Sequence, residues 1–127
     1  MRAAAKTLKE FVSGFGLPAY ATGTIPKDVA APYLVYPLNE PTWDAKSTWY
    51  IQGWYRTTSN AALVAKADEI LREIGTGIII NTDSGYIVIY PESPAVQFAT
   101  DGDYRSFYIN LSINVYQMPG AIPEEGE

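Results

Sequence analysis

Apolar and polar side chains alternate without a break over residues 106–116. Phe107, Ile109, Leu111, Ile113 and Val115 fall on one side of an extended chain, and Ser106, Tyr108, Asn110, Ser112, Asn114 and Tyr116 on the other. Successive strand side chains point to opposite faces, so this pattern predicts a strand with one apolar face and one polar, tyrosine-bearing face. Strands commonly run about five or six residues, so this one is long enough to form a sheet's central rib. A second alternating run covers 47–57, with Trp49, Ile51 and Tyr55 on one face and Tyr50, Gln52 and Trp54 on the other. Gly53 within it marks a bulge or a close backbone approach.

The period changes to that of a helix in two places. Over 3–15, Leu8, Phe11, Val12 and Phe15 recur at helical spacing with Lys6, Lys9 and Glu10 elsewhere, and Gly14, Gly16 and Pro18 end the element. After Thr58 or Ser59 as N-cap, Leu63, Ala67, Ile70, Leu71 and Ile74 make an apolar stripe that Gly75 stops. Residues 17–32 form a loop with room for a short strand. The run 32–37 is a short strand bounded by prolines, which suits an edge or a strand terminus. Runs 77–81 and 86–90 read as a hairpin, and 95–100 joins 105–117 through the tight turn Asp101-Gly102-Asp103. The predicted order is α-β-β-α-β-β-β-β, an α+β domain over 1–117 with two helices packed on one face of a mainly antiparallel sheet. Residues 118–127, with two prolines, two glycines and three glutamates, read as a flexible acidic tail.

Composition narrows the chemistry. The 127 residues contain neither cysteine nor histidine, which removes disulfides, thiolate nucleophiles, Ser-His-Asp catalysis and every His- or Cys-based metal site. A carboxylate-only mechanism or an oxygen-ligand metal site stays open. The net charge of −5 argues against nonspecific nucleic-acid binding, which needs cations against phosphates. No apolar run approaches the roughly 20 residues of a membrane helix. The first residues lack the apolar stretch of a signal peptide, so the expectation is synthesis and folding in the cytoplasm. Tyrosine is the outlier, at 10 residues alongside three tryptophans. These residues suit protein interfaces as well as β-rich cores.

Candidate sites are few. Asp83, Asp101 and Asp103 are turn residues before they are calcium ligands, since no EF-hand spacing accompanies them. The acids lie in loops, on a helix's wet face or in the tail, where solvation is the simpler reading than a hydrolytic pair. Gly75-Thr76-Gly77 follows a helix rather than opening one, so it is no phosphate loop. No catalytic residue, cofactor or metal is expected. The interface candidates are loop-borne Trp43, the strand residues Tyr50 and Trp54, and the polar-aromatic face that carries Tyr108, Asn110 and Tyr116.

The run Ala31-Pro-Tyr-Leu-Val-Tyr36, the aromatic strand 49–56, the Ala-rich helix 60–71 and the closing strand 104–116 together resemble the tail terminator (tail completion, or minor capsid) proteins of long-tailed phages. The resemblance covers 1–117. It implies a non-enzymatic structural protein that forms a ring, typically a homo-hexamer. Such a ring caps the tail tube and offers a docking surface to the head completion or connector protein, so its place would be the virion's head–tail joint. It implies no active site, no cofactor, no membrane and no sequence-specific contact with nucleic acid. Two other readings stay open: a small module that binds a protein or peptide through its aromatic sheet face, and a carboxylate-dependent hydrolase.

Overall fold

The computed structural model describes residues 2–37, 46–83 and 85–117. Two helices, α1 (Arg2–Ser13) and α2 (Ala61–Ile74), accompany six strands: β1 (Ala19–Ala21), β2 (Tyr33–Tyr36), β3 (Lys46–Arg56), β4 (Ile78–Asn81), β5 (Gly85–Asp101) and β6 (Tyr104–Gln117). They form one sheet in the order β1-β2-β3-β6-β5-β4. Every neighbouring pair is antiparallel except β1 with β2. This is the α+β architecture that the pattern predicts.

The alternation in β6 sets the layers. Phe107, Ile109, Leu111, Ile113 and Val115 are buried. Directly opposite, Trp49 and Ile51 of β3 and Ile87 and Ile89 of β5 are buried with them. The helices close this face. Leu8 and Val12 of α1, with Phe15 just past its end, join Leu63, Ala67, Ile70 and Ile74 of α2 in the same cluster. Each fully buried aliphatic or aromatic side chain contributes on the order of 1.5–3 kcal/mol, so the paired stripes hold the two layers together. Gly75 ends α2 at φ 58°, where its N–H reaches the carbonyl of Leu71. Lys66 ties the helices together by donating to the Phe15 carbonyl at 2.8 Å.

Several local expectations change. The strands divide three and three around α2 rather than two and four. Ala19–Ala21 forms a short edge strand parallel to β2. Runs 86–90 and 95–100 belong to a single strand, interrupted where the register shifts between Pro91 and Val96. The helix cap is Asn60, whose side chain makes no capping bond; the Ser59 hydroxyl accepts from the Ala61 N–H at 3.2 Å. The prolines flanking β2 lie outside its ends, and β2 is an inner strand, with β1 on its free side. Gly53 marks a close approach, since β3 pairs with β6 in unbroken register from Lys46 to Arg56.

The open face of the sheet

Cross-strand partners share a face, so the register shows which side chains stand on the face away from the helices. Tyr50, Gln52, Trp54 and Arg56 of β3 lie opposite Asn110, Tyr108, Ser106 and Tyr104 of β6. Tyr86 and Tyr90 of β5 lie opposite Tyr116 and Ser112. Tyr33 lies opposite Trp54, and Tyr20 follows through Val35. Of the 10 tyrosines, Tyr36 and Tyr55 sit in the core, and the other eight stand on this open face.

The rings are ordered by contacts with one another. Tyr50 and Tyr108 stack at 4.6 Å and 22°, and Tyr86 and Tyr116 at 4.9 Å and 25°. Tyr20 meets Tyr33 edge-on at 6.0 Å, and Trp54 meets Tyr104 edge-on at 6.5 Å. The Thr22 hydroxyl donates its proton to the Tyr36 carbonyl at 2.9 Å. In the 3.2 Å contact between Thr22 and Tyr50, the tyrosine is therefore the donor. Burial pushes the Tyr108 hydroxyl above the usual tyrosine range, with Tyr50 adding to it. Burial does the same at Tyr33, with Tyr104 adding.

A bulge crosses the middle of this face. Pro91 lies opposite Leu111 and Val96 opposite Ile109, so the four residues 92–95 stand against Asn110 alone. The Ser93–Pro94 peptide within the bulge is cis. Its partners are on β6: Asn110 Nδ2 donates to the Pro94 carbonyl at 2.8 Å and to Gln97 Oε1 at 3.0 Å. Ser112 Oγ donates to Glu92 Oε2 at 2.8 Å, and Lys46 Nζ pairs with the same oxygen at 2.8 Å. Lys46 also lies 5.9 Å from the centre of the Tyr90 ring. The hydrogen bonds from Lys46 and then Ser112 hold the Glu92 carboxyl below the usual glutamate range, against the upward pull of desolvation. This packing explains why Ser112 is buried although it belongs to the polar side of the alternation.

Two aromatic groups lie toward opposite ends of the open face, with the Tyr50–Tyr108 stack between them. One, at the β1–β2 side, gathers Tyr20, Tyr33, Trp54 and Tyr104. The other holds Tyr86 and Tyr116 beside the edge strand β4, where Ile79 is 67% exposed. Among the sequence-predicted residues, Tyr50, Trp54, Tyr108 and Tyr116 stand half-buried on this face. Asn110 also stands there, but its amide nitrogen is committed to the bulge. Trp43 lies outside the described residues. Sequence reasoning missed Tyr20, Tyr33, Tyr86, Tyr90 and Tyr104 as companions. The strand pairs would have supplied them once register was known, because each is set by parity from Trp54 or Tyr116.

The remaining chemistry is sparse. A cleft of about 460 Å³ under β4 is lined by Lys6, Glu10, Phe11, Ile80, Asn81 and Asp83, among others. Of the nine described acids, Glu92 alone is even half-buried, and the others are exposed. No group of three or more acids among the described residues is placed to hold a metal ion. Asp101 and Asp103 flank the β5–β6 turn, in which Gly102 takes φ 61°. No described helix is long and apolar enough to cross a membrane.

No family model and no curated protein matches the chain. Six solved chains match it in fold. One of them, recorded under a bare sequence identifier, has a TM-score of 0.58 and 17% identity. The match covers 93% of this chain and 94% of that one. At that identity the likeness concerns the fold alone.

Proposed function

We propose that this chain is a non-enzymatic assembly protein of a long-tailed phage, a tail terminator that caps the tail tube as an oligomeric ring and meets the head connector at the head–tail joint. The observation that carries the reading is the open sheet face. Eight tyrosines and Trp54 stand on the side that neither helix covers, and large amphipathic rings at low side-chain entropy are what subunit contacts use. The order of elements agrees with the layout of the family that the sequence resembles. A closed ring needs two different, complementary surfaces on each subunit, and this face carries aromatic groups toward both of its ends. The chain's lack of histidine and cysteine also favours an assembly role.

The test is a tube-capping assay. Tail-tube protein polymerised with this chain should give short tubes, with a ring visible at one end by electron microscopy. Tubes of unaltered length with bare ends at high concentrations of this protein overturn the proposal. The partly exposed corner formed by Tyr20, Tyr33, Trp54 and Tyr104 favours a second reading, a peptide-binding module with no phage role. Peptide capture by a protein that ignores the tube would support that reading instead.

A further inference from the structure

The sheet is open at both edges along one and the same row. Ala19, Leu34, Gly53, Phe107 and Phe98 stand side by side across β1, β2, β3, β6 and β5. β4 pairs with β5 only from Tyr86 to Ile89, so beyond the bulge residues 96–101 form an outer strand. From Val96 to Thr100 this strand carries neither charge nor proline, the usual guards of an exposed edge. Phe98 is 49% exposed there.

Hydrogen-bond phase shows which backbone groups face outward. Successive residues of an antiparallel ladder turn their N–H and C=O to alternate sides. The two-residue turn Gly102-Asp103 makes Asp101 and Tyr104 a hydrogen-bonded closing pair. Gln97 and Ala99 therefore bond to β6, and Val96, Phe98 and Thr100 turn outward. On β1, the Pro18 carbonyl accepts from the Leu34 N–H at 2.7 Å, and the Thr22 N–H donates to the Tyr36 carbonyl at 2.9 Å. That phase turns Tyr20 toward β2 and Ala19 and Ala21 outward. The Ala21 carbonyl accepts from the Thr24 N–H and hydroxyl at 3.0 and 2.7 Å. The Ala19 N–H and carbonyl and the Ala21 N–H remain for a partner.

We infer that these two edges pair between neighbouring copies, β1 of one running antiparallel to residues 96–98 of the next. The inference rests on the ring reading and deepens it by naming the joint. Direction, level, phase and face all agree. β1 is parallel to β2, and each step from β2 through β3 and β6 to β5 is antiparallel, so β1 runs opposite to β5. A rotation about an axis along the strands keeps rows level and sets Ala19 opposite Phe98 and Ala21 opposite Val96. The Ala19 N–H then meets the Phe98 carbonyl, the Phe98 N–H meets the Ala19 carbonyl, and the Ala21 N–H meets the Val96 carbonyl. Ala19 and Ala21 lie on the helix side, as Val96 and Phe98 do, and the small alanines leave room for the Phe98 ring. On the open face Tyr20 stands beside Gln97, one strand from Tyr108, so the tyrosine faces of neighbours become continuous. The two edges are different surfaces, so the joint is head-to-tail, the kind that closes into a ring when the rotation fits.

The chain has no cysteine, so engineered pairs report the joint directly. Across it, Tyr20 and Gln97 form a non-hydrogen-bonded pair about 4.5 Å apart, within disulfide range. Inside one chain they lie four strand spacings apart, about 19 Å. The full chain carrying Tyr20→Cys and Gln97→Cys should, on oxidation, give a ladder of linked oligomers on a denaturing gel. Neither single variant should link, because a head-to-tail joint does not bring like residues together. Ala19→Cys with Phe98→Cys tests the adjacent pair, and circular dichroism checks that every variant is folded. If neither folded double variant gives a ladder, or a single variant links as well as the double one, the inference is overturned. Native mass measured in parallel separates the two readings. Rings without a ladder leave the ring reading standing and remove this one; a ladder from a chain that forms no ring does the reverse.

Discussion

The Phe107 ring occupies the space that a side chain at Gly53 would need. A Cβ built there would lie 2.2 Å from Cε2 and 2.3 Å from Cζ of Phe107. The two residues face each other across β3 and β6, and Phe107 is fully buried. A glycine in the middle of a long strand costs backbone entropy, and here that cost is offset by the ring that lies over it and also meets Tyr55 at 6.4 Å.

Gly53→Ala should therefore destabilise the fold. Overpacking a closed core of this kind typically costs about 1–3 kcal/mol. Urea denaturation of the two proteins measures it, and equal midpoints would contradict this account of the glycine. Combining Gly53→Ala with Phe107→Leu should recover part of the loss, because the smaller side chain vacates the contested space.

The stacked pair Tyr50–Tyr108 should behave as a coupled unit within one subunit. A double-mutant cycle with Tyr50→Phe/Leu and Tyr108→Leu isolates the ring contact from each residue's own burial. The expected coupling is on the order of 0.5–1.5 kcal/mol. Additive losses would mean that the rings are neighbours without being partners.

The bulge carries a pH signature. Glu92 is held below the usual glutamate range by Lys46 and Ser112, and Lys46 is held above the usual lysine range by Glu92. A carboxyl with a depressed folded pKa stabilises the fold above its unfolded value, and that contribution is lost as pH falls through the folded value. A lysine with a raised folded pKa contributes below its unfolded value and loses the contribution as pH rises through the folded one. The pair is thus intact across neutral pH, failing on the acid side below the ordinary glutamate range and on the alkaline side above the ordinary lysine range. Carboxyl NMR should show Glu92 titrating below the ordinary glutamate range, and Lys46→Ala should move its midpoint upward. A midpoint that ignores Lys46→Ala contradicts the contact.

Lys66 should matter more than an exposed lysine does. Its side chain is 19% exposed, donates to the Phe15 carbonyl, and meets Glu69 at 3.0 Å. Lys66→Met keeps the stem and removes the donor, leaving the end of α1 without that partner. A loss of about 1 kcal/mol is expected, and faster amide exchange around Phe15 would localise it.

The long periodic elements were legible in the sequence because one physical constraint dominates each. The alternation in β6 and the apolar stripe of α2 both follow from burying one face, and the turn at Asp101-Gly102-Asp103 follows from local backbone preference. Ala19–Ala21 was not legible as a defined strand, since three residues carry no period and their pairing with β2 is a tertiary event. The join of 86–90 with 95–100 was hidden by Pro91 and Pro94, which signal a break; the break is a bulge held by Asn110 and Ser112 from another strand. The same bulge decided the fate of the polar side of β6. Ser112 and Asn110 pack against it, while Tyr108 and Tyr116 remain on the open face in separate stacks. The sequence placed those tyrosines on one side of the strand but could not supply the residues that lie beside them across the sheet.

The proposed role of the open tyrosine face is to join subunits. The direct measurement is the sedimentation mass of the chain, alone and with tail-tube protein, compared with a Tyr108→Ala/Tyr116→Ala variant whose circular dichroism matches the parent. A ring-sized species is expected for the parent and a shift toward monomer for the variant. An unchanged oligomer mass in the variant, or a parent that stays monomeric in the presence of the tube, would contradict it.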